Sequence, residues 1–212
     1  MSPSDNSQPA VAITGGLGCG KSEVARLLRE DGVPVLDTDD VARDVVVSGS
    51  EAAGEIAGRF GADMLKADGS LDRQRLADVV FRDAKARAAL NDIVHPRVRA
   101  ATREWVAWQR ASGRACAGVI PLLYEVAAEK EWDFVVCVVS SDDVSRARLC
   151  ARGWSDDEIA RRRAAQWSLE KKMERSDVVI ENNGTINELA ARVRAAWKEI
   201  LKKESRNGNR RE

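Results

Sequence analysis

One stretch of the sequence, residues 15–22, limits the possible folds of this chain more than any other. It reads Gly-Gly-Leu-Gly-Cys-Gly-Lys-Ser and fits the pattern G-x-x-x-x-G-K-[ST]. In such a loop the glycines let several backbone N–H groups point at one anion, and the following helix adds the positive end of its dipole. The stretch therefore predicts a phosphate-binding loop (the P-loop), with a strand before it and a helix after it.

The neighbouring residues supply that strand and that helix. Residues 10–13 are apolar and partly β-branched, which predicts a short buried strand. Val24, Leu27 and Leu28 follow the loop at helical spacing. Because the pattern and its surroundings agree, a chance glycine-rich turn is the weaker interpretation.

A P-loop alone does not distinguish GTPases, motors, ATPases and kinases. In any of them Lys21 would reach the β- and γ-phosphates, and Ser22 would offer its hydroxyl to Mg²⁺. The sequence contains no D-x-x-G, N-K-x-D or T-K-x-D motif, all of which are expected of GTPases that resemble the switch proteins. The length of 212 residues and an arginine-rich helical stretch favour a small-molecule kinase.

The amino-acid composition argues against nucleic-acid binding, a zinc site and a membrane span. The 34 basic and 34 acidic residues give a net charge of zero, which argues against general nucleic-acid binding. The four cysteines form no C-x-x-C pair and the chain has one histidine, so a zinc site is not expected. The longest apolar run is about ten residues, below the 18 or so that a membrane span needs. We therefore expect a cytoplasmic protein with no membrane segment.

Strand and helix patterns alternate along the chain. Apolar runs at residues 33–36, 115–123, 134–139 and 177–181 predict four further strands. This alternation predicts an α/β three-layer fold with a five-stranded parallel sheet flanked by helices. The predicted single domain, residues 10–203, has a core of residues 10–40, 114–145 and 176–203, a helical insertion 41–113 and a helical lid 146–175; residues 1–9 and 204–212 are predicted to be flexible tails.

Acidic residues follow the second predicted strand, where an open parallel sheet carries its active edge. Asp37, Asp39 and Asp40 lie there. One of them is expected to cap the helix that begins near Val41. Another could handle Mg²⁺ or a substrate proton, and the residues alone leave these two interpretations open.

Two further groups are ambiguous from the residues alone. His95 precedes Pro96 and interrupts a long helical stretch, so it could fill the proline kink or contact a ligand; its position favours the kink. Arg148 and Arg152 are four residues apart and would share one helical face toward the phosphates, although a solvated charged face is the alternative for each single arginine.

A sequence of motifs makes the assignment specific. In chain order these are T-G-G-L-G-C-G-K-S (14–22), D-T-D-D-V-A-R (37–43), F-G (60–61), D-G-S-L-D-R (68–73), L-N-D-I-V-H-P (90–96), P-L-L-Y-E (121–125), R-L-C-A-R (148–152) and D-V-V-I-E-N-N-G (177–184). The series resembles the motifs of dephospho-coenzyme A kinases, in family order and over most of the chain. The sequence departs from them at Cys19, where serine is usual, and at Glu23, where threonine is common.

The resemblance implies ATP-dependent phosphorylation of the ribose 3′-hydroxyl of dephospho-coenzyme A, with ATP and Mg²⁺ bound. A monomer is expected separately, since the sequence does not fix the oligomeric state. It implies catalytic roles for Asp39 as proton acceptor, Lys21, and Arg148 or Arg152; nucleotide binding by Gly16, Gly18, Cys19, Gly20, Lys21, Ser22, Glu23 and Asn183; acceptor binding by Thr14, Asp37, Arg43, His95, Pro121, Leu122 and Glu125; and metal binding by Ser22 and Asp39. The effect of Glu23 depends on its direction: pointing inward it would weaken ATP binding, and pointing outward it would join the helix surface. The alternatives are a kinase of a nucleoside or nucleoside monophosphate, and a non-catalytic nucleotide-binding regulator.

Overall fold

The computed structural model, which describes residues 8–208, contains a five-stranded sheet. Its strands are β1 (Ala10–Gly15), β2 (Val35–Asp37), β3 (Cys116–Val119), β4 (Phe134–Val139) and β5 (Val178–Glu181). They lie in the order β2-β3-β1-β4-β5, and β1 pairs in parallel with β3 and β4, as β4 does with β5. The predicted α/β fold with a parallel sheet is confirmed.

Nine α-helices are described: α1 (Lys21–Glu30), α2 (Thr38–Asp44), α3 (Glu51–Phe60), α4 (Arg73–Arg82), α5 (Ala84–Ala111), α6 (Asp142–Cys150), α7 (Asp156–Ala164), α8 (Leu169–Glu174) and α9 (Ile186–Gly208). None of these described helices is long and apolar enough to cross a membrane. Helix α9 reaches Gly208, past residue 203, where the sequence predicted a flexible tail to begin. Residues 1–7 and 209–212, the outer parts of both predicted tails, lie outside the described residues.

The main core consists of central strands that are buried throughout and of apolar stripes on two helices. All six residues of β4 are buried, as the continuous apolar run predicted. Val11 and Ile13 of β1 pack in the same buried cluster as Leu28 of α1 and Val193 of α9. The P-loop joins β1 to α1, so the packing of these two elements fixes both of its ends.

Side-chain caps mark where most helices begin. Thr185 and Glu188 form a capping box at α9, in which each backbone N–H donates to the other side chain. At α7 only half of such a box is present: Ser155 Oγ accepts from the N–H of Glu158 at 3.2 Å. The Glu158 carboxylate pairs with Arg161 and Arg162 instead, so a charge pair one turn along the helix replaces the second hydrogen bond.

The chain divides into two compact units. The sheet unit is Met1–Leu36 with Val106–Glu212, described over 8–36 and 106–208; the helical unit is Asp37–Trp105. The helical unit has a core of its own, which includes Val46, Ile56 and Leu76. The predicted extents of the insertion and of the lid stay predictions.

Strand β3 ends at Val119, before Pro121, because proline cannot donate a hydrogen bond to a neighbouring strand, and turns follow as far as residue 127. Two details differ from the sequence-based expectations. Helix α5 continues through Pro96, so the proline does not interrupt the helix. Strand β2 ends at Asp37, and Thr38 already begins α2.

Candidate active site

Backbone conformations that favour glycine shape the P-loop. Gly18 and Gly20 have φ of +74° and +92°, in the left-handed region. At Gly20 a Cβ would also collide with the Asn182 side-chain amide. Gly20 caps α1 without a side-chain hydrogen bond, whereas the N-caps of α2, α3, α4, α6, α7 and α8 each accept one. The first N–H groups of α1 are therefore left to bind an anion.

The two polar side chains predicted to handle phosphate and metal begin α1. The Lys21 ammonium donates to the carbonyl oxygens of Gly16 at 2.8 Å and Gly15 at 3.3 Å, so the lysine lies against its own loop. Ser22 follows in the first helical turn and is exposed. Both positions agree with the roles expected of a P-loop lysine and serine.

Asn182, at the end of β5, connects the P-loop to Arg148 of α6. Its Nδ2 donates to the Cys19 carbonyl at 2.9 Å, and its Oδ1 accepts from Arg148 Nη2 at 3.2 Å. The other guanidinium nitrogen of Arg148, Nη1, is buried and has no hydrogen-bond partner among the described residues. This leaves a buried cationic donor beside the P-loop, where phosphate oxygens would supply its partner.

Sequence reasoning chose Asn183 for the nucleotide site and missed Asn182. The exposed Asn183 accepts from the N–H of Ser141 at 2.8 Å, at the start of α6. The two asparagines are adjacent, and only the twist at the end of β5 decides which one faces the loop. In the sequence, two adjacent asparagines follow a predicted strand, which indicates polar groups near the P-loop. This pattern does not show which of the two asparagines faces the loop.

Arg152 does not share a helical face with Arg148. Helix α6 ends at Cys150, and Arg152 lies in the following turn with an exposed side chain. The expectation from i, i+4 spacing is wrong here, because the helix stops before the second arginine. Of the arginines on α6, Arg148 is the one the structure places at the loop; Arg146 pairs with Asp156.

The predicted acceptor residues after β3 form a turn tied to the end of β1. Thr14 Oγ1 donates to the Pro121 carbonyl at 3.4 Å, and Leu122 is exposed. Glu125 Oε1 accepts from Lys172 Nζ at 2.9 Å and from the N–H of Trp167 at 2.7 Å. Lys172 was missed, because a lysine in a charged helical stretch is indistinguishable by sequence from one on a solvated face.

The other predicted acceptor residues belong to the helical unit. Asp37 caps α2 and its Oδ1 accepts from the N–H of Asp39 at 2.9 Å, whereas Asp39 is exposed in the first helical turn. Strand β2 therefore ends at Asp37, and Asp39 lies on α2. Arg43 pairs with Asp40, three residues earlier on α2.

His95 lies on α5, within the continuous helix. Partial burial lowers the pKa of its imidazole from the ordinary 6.5, the nearby positive charge of Arg99 lowers it further, and Asp92 opposes both. The neutral ring, which can both donate and accept a hydrogen bond, is the favoured form at neutral pH.

The family model of the dephospho-CoA kinases matches residues 9–188 of the chain. The chain belongs to the dephospho-CoA kinase family. A dephospho-CoA kinase of Thermobifida fusca is 40% identical over 194 residues, covering 91% of this chain and 96% of that protein. One of Anaeromyxobacter dehalogenans is 45% identical over 184 residues, covering 86% and 87%. A crystal structure from Thermus thermophilus has a TM-score of 0.77 at 34% identity, covering 91% of this chain and 97% of that one.

As a member of the dephospho-CoA kinase family, the chain is a kinase that uses ATP and acts at the last step of coenzyme A biosynthesis. Its two departures from the motifs of dephospho-CoA kinases have structural explanations. Cys19 is buried and contacts Asn182 through its backbone carbonyl, so the change from serine leaves that contact intact. Glu23 accepts from Arg26 Nε at 2.9 Å and Nη2 at 2.6 Å, which places its carboxylate on the helix surface, the outward alternative.

Proposed function

We propose that the chain transfers the γ-phosphoryl group of ATP to the ribose 3′-hydroxyl of dephospho-coenzyme A, with the P-loop and Arg148 holding the transferred group. The observation that carries this proposal is the buried Nη1 of Arg148, which has no hydrogen-bond partner within residues 8–208, beside the start of α1, where the Gly20 cap provides no side-chain hydrogen bond. Phosphoryl transfer proceeds through a loose transition state that needs positioning and charge neutralisation more than covalent help. A fixed cationic donor and a row of backbone N–H groups provide both.

On the nucleotide side, each group has a distinct task. The N–H groups at the start of α1 bind the β-phosphate region, and the Lys21 ammonium exchanges its loop carbonyls for phosphate oxygens when ATP enters. Asn182 holds Arg148 by one nitrogen and leaves the other for the transferring group. Because the donors are held before the substrate arrives, little reorganisation is needed at the moment of reaction.

Mg²⁺ fits this arrangement through Ser22. Among residues 8–208 no group of three or more His, Cys, Asp or Glu side chains could hold a metal ion. A magnesium ion bound with ATP takes most of its ligands from phosphates and water and needs only one or two protein oxygens, and the exposed Ser22 hydroxyl is one. Bound there, it would neutralise charge on the phosphates.

On the acceptor side, Asp39 would orient the ribose hydroxyl and accept its proton, supported by its exposed position at the first turn of α2. Asp37 would hold that turn through its cap, and Arg43, His95 and the turn from Pro121 to Glu125 would bind the rest of the acceptor, with Thr14 and Leu122. The cytoplasmic location and the monomeric state stay predictions.

The decisive experiment is a steady-state assay with ATP and a panel of acceptors: dephospho-coenzyme A, a nucleoside and a nucleoside monophosphate. We expect turnover with dephospho-coenzyme A at a kcat/KM far above the others, and its loss in Lys21→Ala. Preference for another acceptor would support the alternative kinase, and ATP binding without turnover of any acceptor would support the regulator.

A further inference from the structure

Lys172 of α8 is a fully buried lysine, with 0% of its side chain exposed. Its neighbour Lys171 is exposed, as is usual for a lysine on a short surface helix. Taking an ammonium group out of water is costly unless it is paired and hydrogen-bonded. A lysine kept in such a position therefore needs partners that compensate for its desolvation.

The Lys172 ammonium has both of its described partners in the acceptor turn, residues 121–125. Its Nζ donates to the Pro121 carbonyl at 3.0 Å and pairs with Glu125 Oε1 at 2.9 Å. The Pro121 carbonyl also accepts from Thr14, the residue before the first glycine of the P-loop motif. Lys172 thus fixes both ends of this turn, and the turn connects to β1 on its other side.

Glu125 is held from two directions and keeps one oxygen unused. Its Oε1 accepts from Lys172 and from the Trp167 N–H, just before α8. Its Oε2 is buried and has no hydrogen-bond partner among the described residues. A buried carboxylate oxygen without a donor is costly, so a hydroxyl or N–H group of a ligand is the natural partner.

An aromatic stack fixes the same segment. The rings of Tyr124 and Trp167 stack at 5.6 Å with an interplanar angle of 13°, and the guanidinium of Arg175 lies 5.7 Å from each ring centroid. The Tyr124 hydroxyl and Ser176 Oγ are 3.0 Å apart, and Ser176 Oγ donates to the Lys172 carbonyl at 2.6 Å. Hydrogen bonds and stacking therefore hold the acceptor turn against the segment that carries Lys172.

We propose that Lys172 is a positioning residue for the acceptor: it holds the Glu125 carboxylate so that Oε2 accepts a hydrogen bond from a hydroxyl or N–H donor of dephospho-coenzyme A. The inference rests on the proposed function, because it concerns how that acceptor is bound. Lys172 itself would contact no reacting atom. Its removal should act on the KM for the acceptor, through Glu125, more than on kcat or on the KM for ATP.

The first test compares Lys172→Met with Lys171→Met, a matched control on the same helix. Lys172→Met should raise the KM for dephospho-coenzyme A by about tenfold or more and change the KM for ATP by less than about threefold, since the lost contacts hold the acceptor turn. Lys171→Met should change neither. A variant that merely folds less well lowers apparent kcat but leaves KM as it was, so the KM change separates positioning from a structural role.

The second test asks whether Lys172 acts through Glu125. On a Glu125→Gln background, adding Lys172→Met should change the acceptor KM by less than about threefold, because residues that act as a unit are non-additive. The double variant buries no unpaired charge, so it should melt at a higher temperature than Lys172→Met. If Lys172→Met does not accumulate as folded protein, the comparison of the double variant with Glu125→Gln decides alone.

Three results would overturn the inference: a wild-type acceptor KM in Lys172→Met, equal rises in both substrate KM values, or a further tenfold rise when Lys172→Met is added to Glu125→Gln. Failure of the proposed function is a different result. In that case the unaltered chain itself would not phosphorylate dephospho-coenzyme A.

Discussion

At the scale of single residues, Arg148 and Arg152 illustrate how one motif separates into different environments. Arg148 is hydrogen-bonded to Asn182, and its Nη1, buried beside the P-loop, has no partner in the described part of the chain. Arg152 is exposed in the turn after α6. The two arginines of the R-L-C-A-R motif should therefore differ strongly in their effect on catalysis.

Arg148→Ala should lower kcat by about 10²–10³-fold, because a preorganised donor to the transferring group is lost. Arg152→Ala should change kcat by less than about threefold, since exposed charges interact weakly. The measurement is kcat and KM for ATP in both variants, with Arg146→Ala as a further exposed control. A larger loss of kcat in Arg152→Ala than in Arg148→Ala would contradict the assignment of Arg148 as the donor to the transferring group.

Asp37 and Asp39 should also differ in their effect on catalysis. Asp39→Asn keeps the shape of the side chain but removes the proton acceptor, so kcat should fall by about 10²–10⁴-fold with both substrates still bound. Asp37→Asn should lose much less, because asparagine caps a helix about as well as aspartate. Single-turnover transfer to dephospho-coenzyme A measures the rate of both variants. A greater loss of rate in Asp37→Asn than in Asp39→Asn would mean that Asp37 is the proton acceptor.

At the scale of elements, α5 carries a histidine that should make folding stability depend on pH. The folded-state pKa of His95 lies below its ordinary 6.5, so the folded protein favours the neutral ring. The stabilising contribution is therefore present above pH 6.5 and is lost as the pH falls through the lowered folded-state value.

Urea midpoints at pH 8 and pH 5 test this expectation for His95→Gln against the unaltered chain. The unaltered chain should lose more stability than the variant between the two pH values, by a small amount, because the side chain is exposed over much of its surface. Parallel losses in the two proteins would show that His95 takes no part.

At the scale of the whole molecule, nucleotide binding should stabilise the fold, because the P-loop joins β1 to α1 at the main core. At ATP concentrations about 100-fold above Kd, bound ligand adds about 2.7 kcal/mol, which corresponds to about 5–10 °C in Tm for a chain of this size. Lys21→Ala should show a much smaller shift at the same ATP–Mg²⁺ concentration, and EDTA should reduce the shift of the unaltered chain. An equal shift in Lys21→Ala, or one that EDTA leaves unchanged, would argue against the proposed phosphate and metal contacts.

The sequence alone determined the features that depend on neighbours along the chain. The P-loop and the buried strand 134–139 occur where the sequence predicted them, and the capping box at Thr185 is likewise formed by residues within one helical turn. Each depends on backbone preferences and hydrophobic periodicity, which are set by residues close together in the sequence. The series of motifs in order along the chain also sufficed to place it in its family.

Only the tertiary structure decided which side chains meet. It placed Asn182 rather than Asn183 on the P-loop, ended α6 before Arg152, and buried Lys172 against Glu125. The first and third results depend on residues more than 40 positions apart that pack together, and the second depends on where a helix stops. Sequence periodicity shows that a residue lies on a helix; burial against a distant partner decides whether its charge is solvated or part of the site.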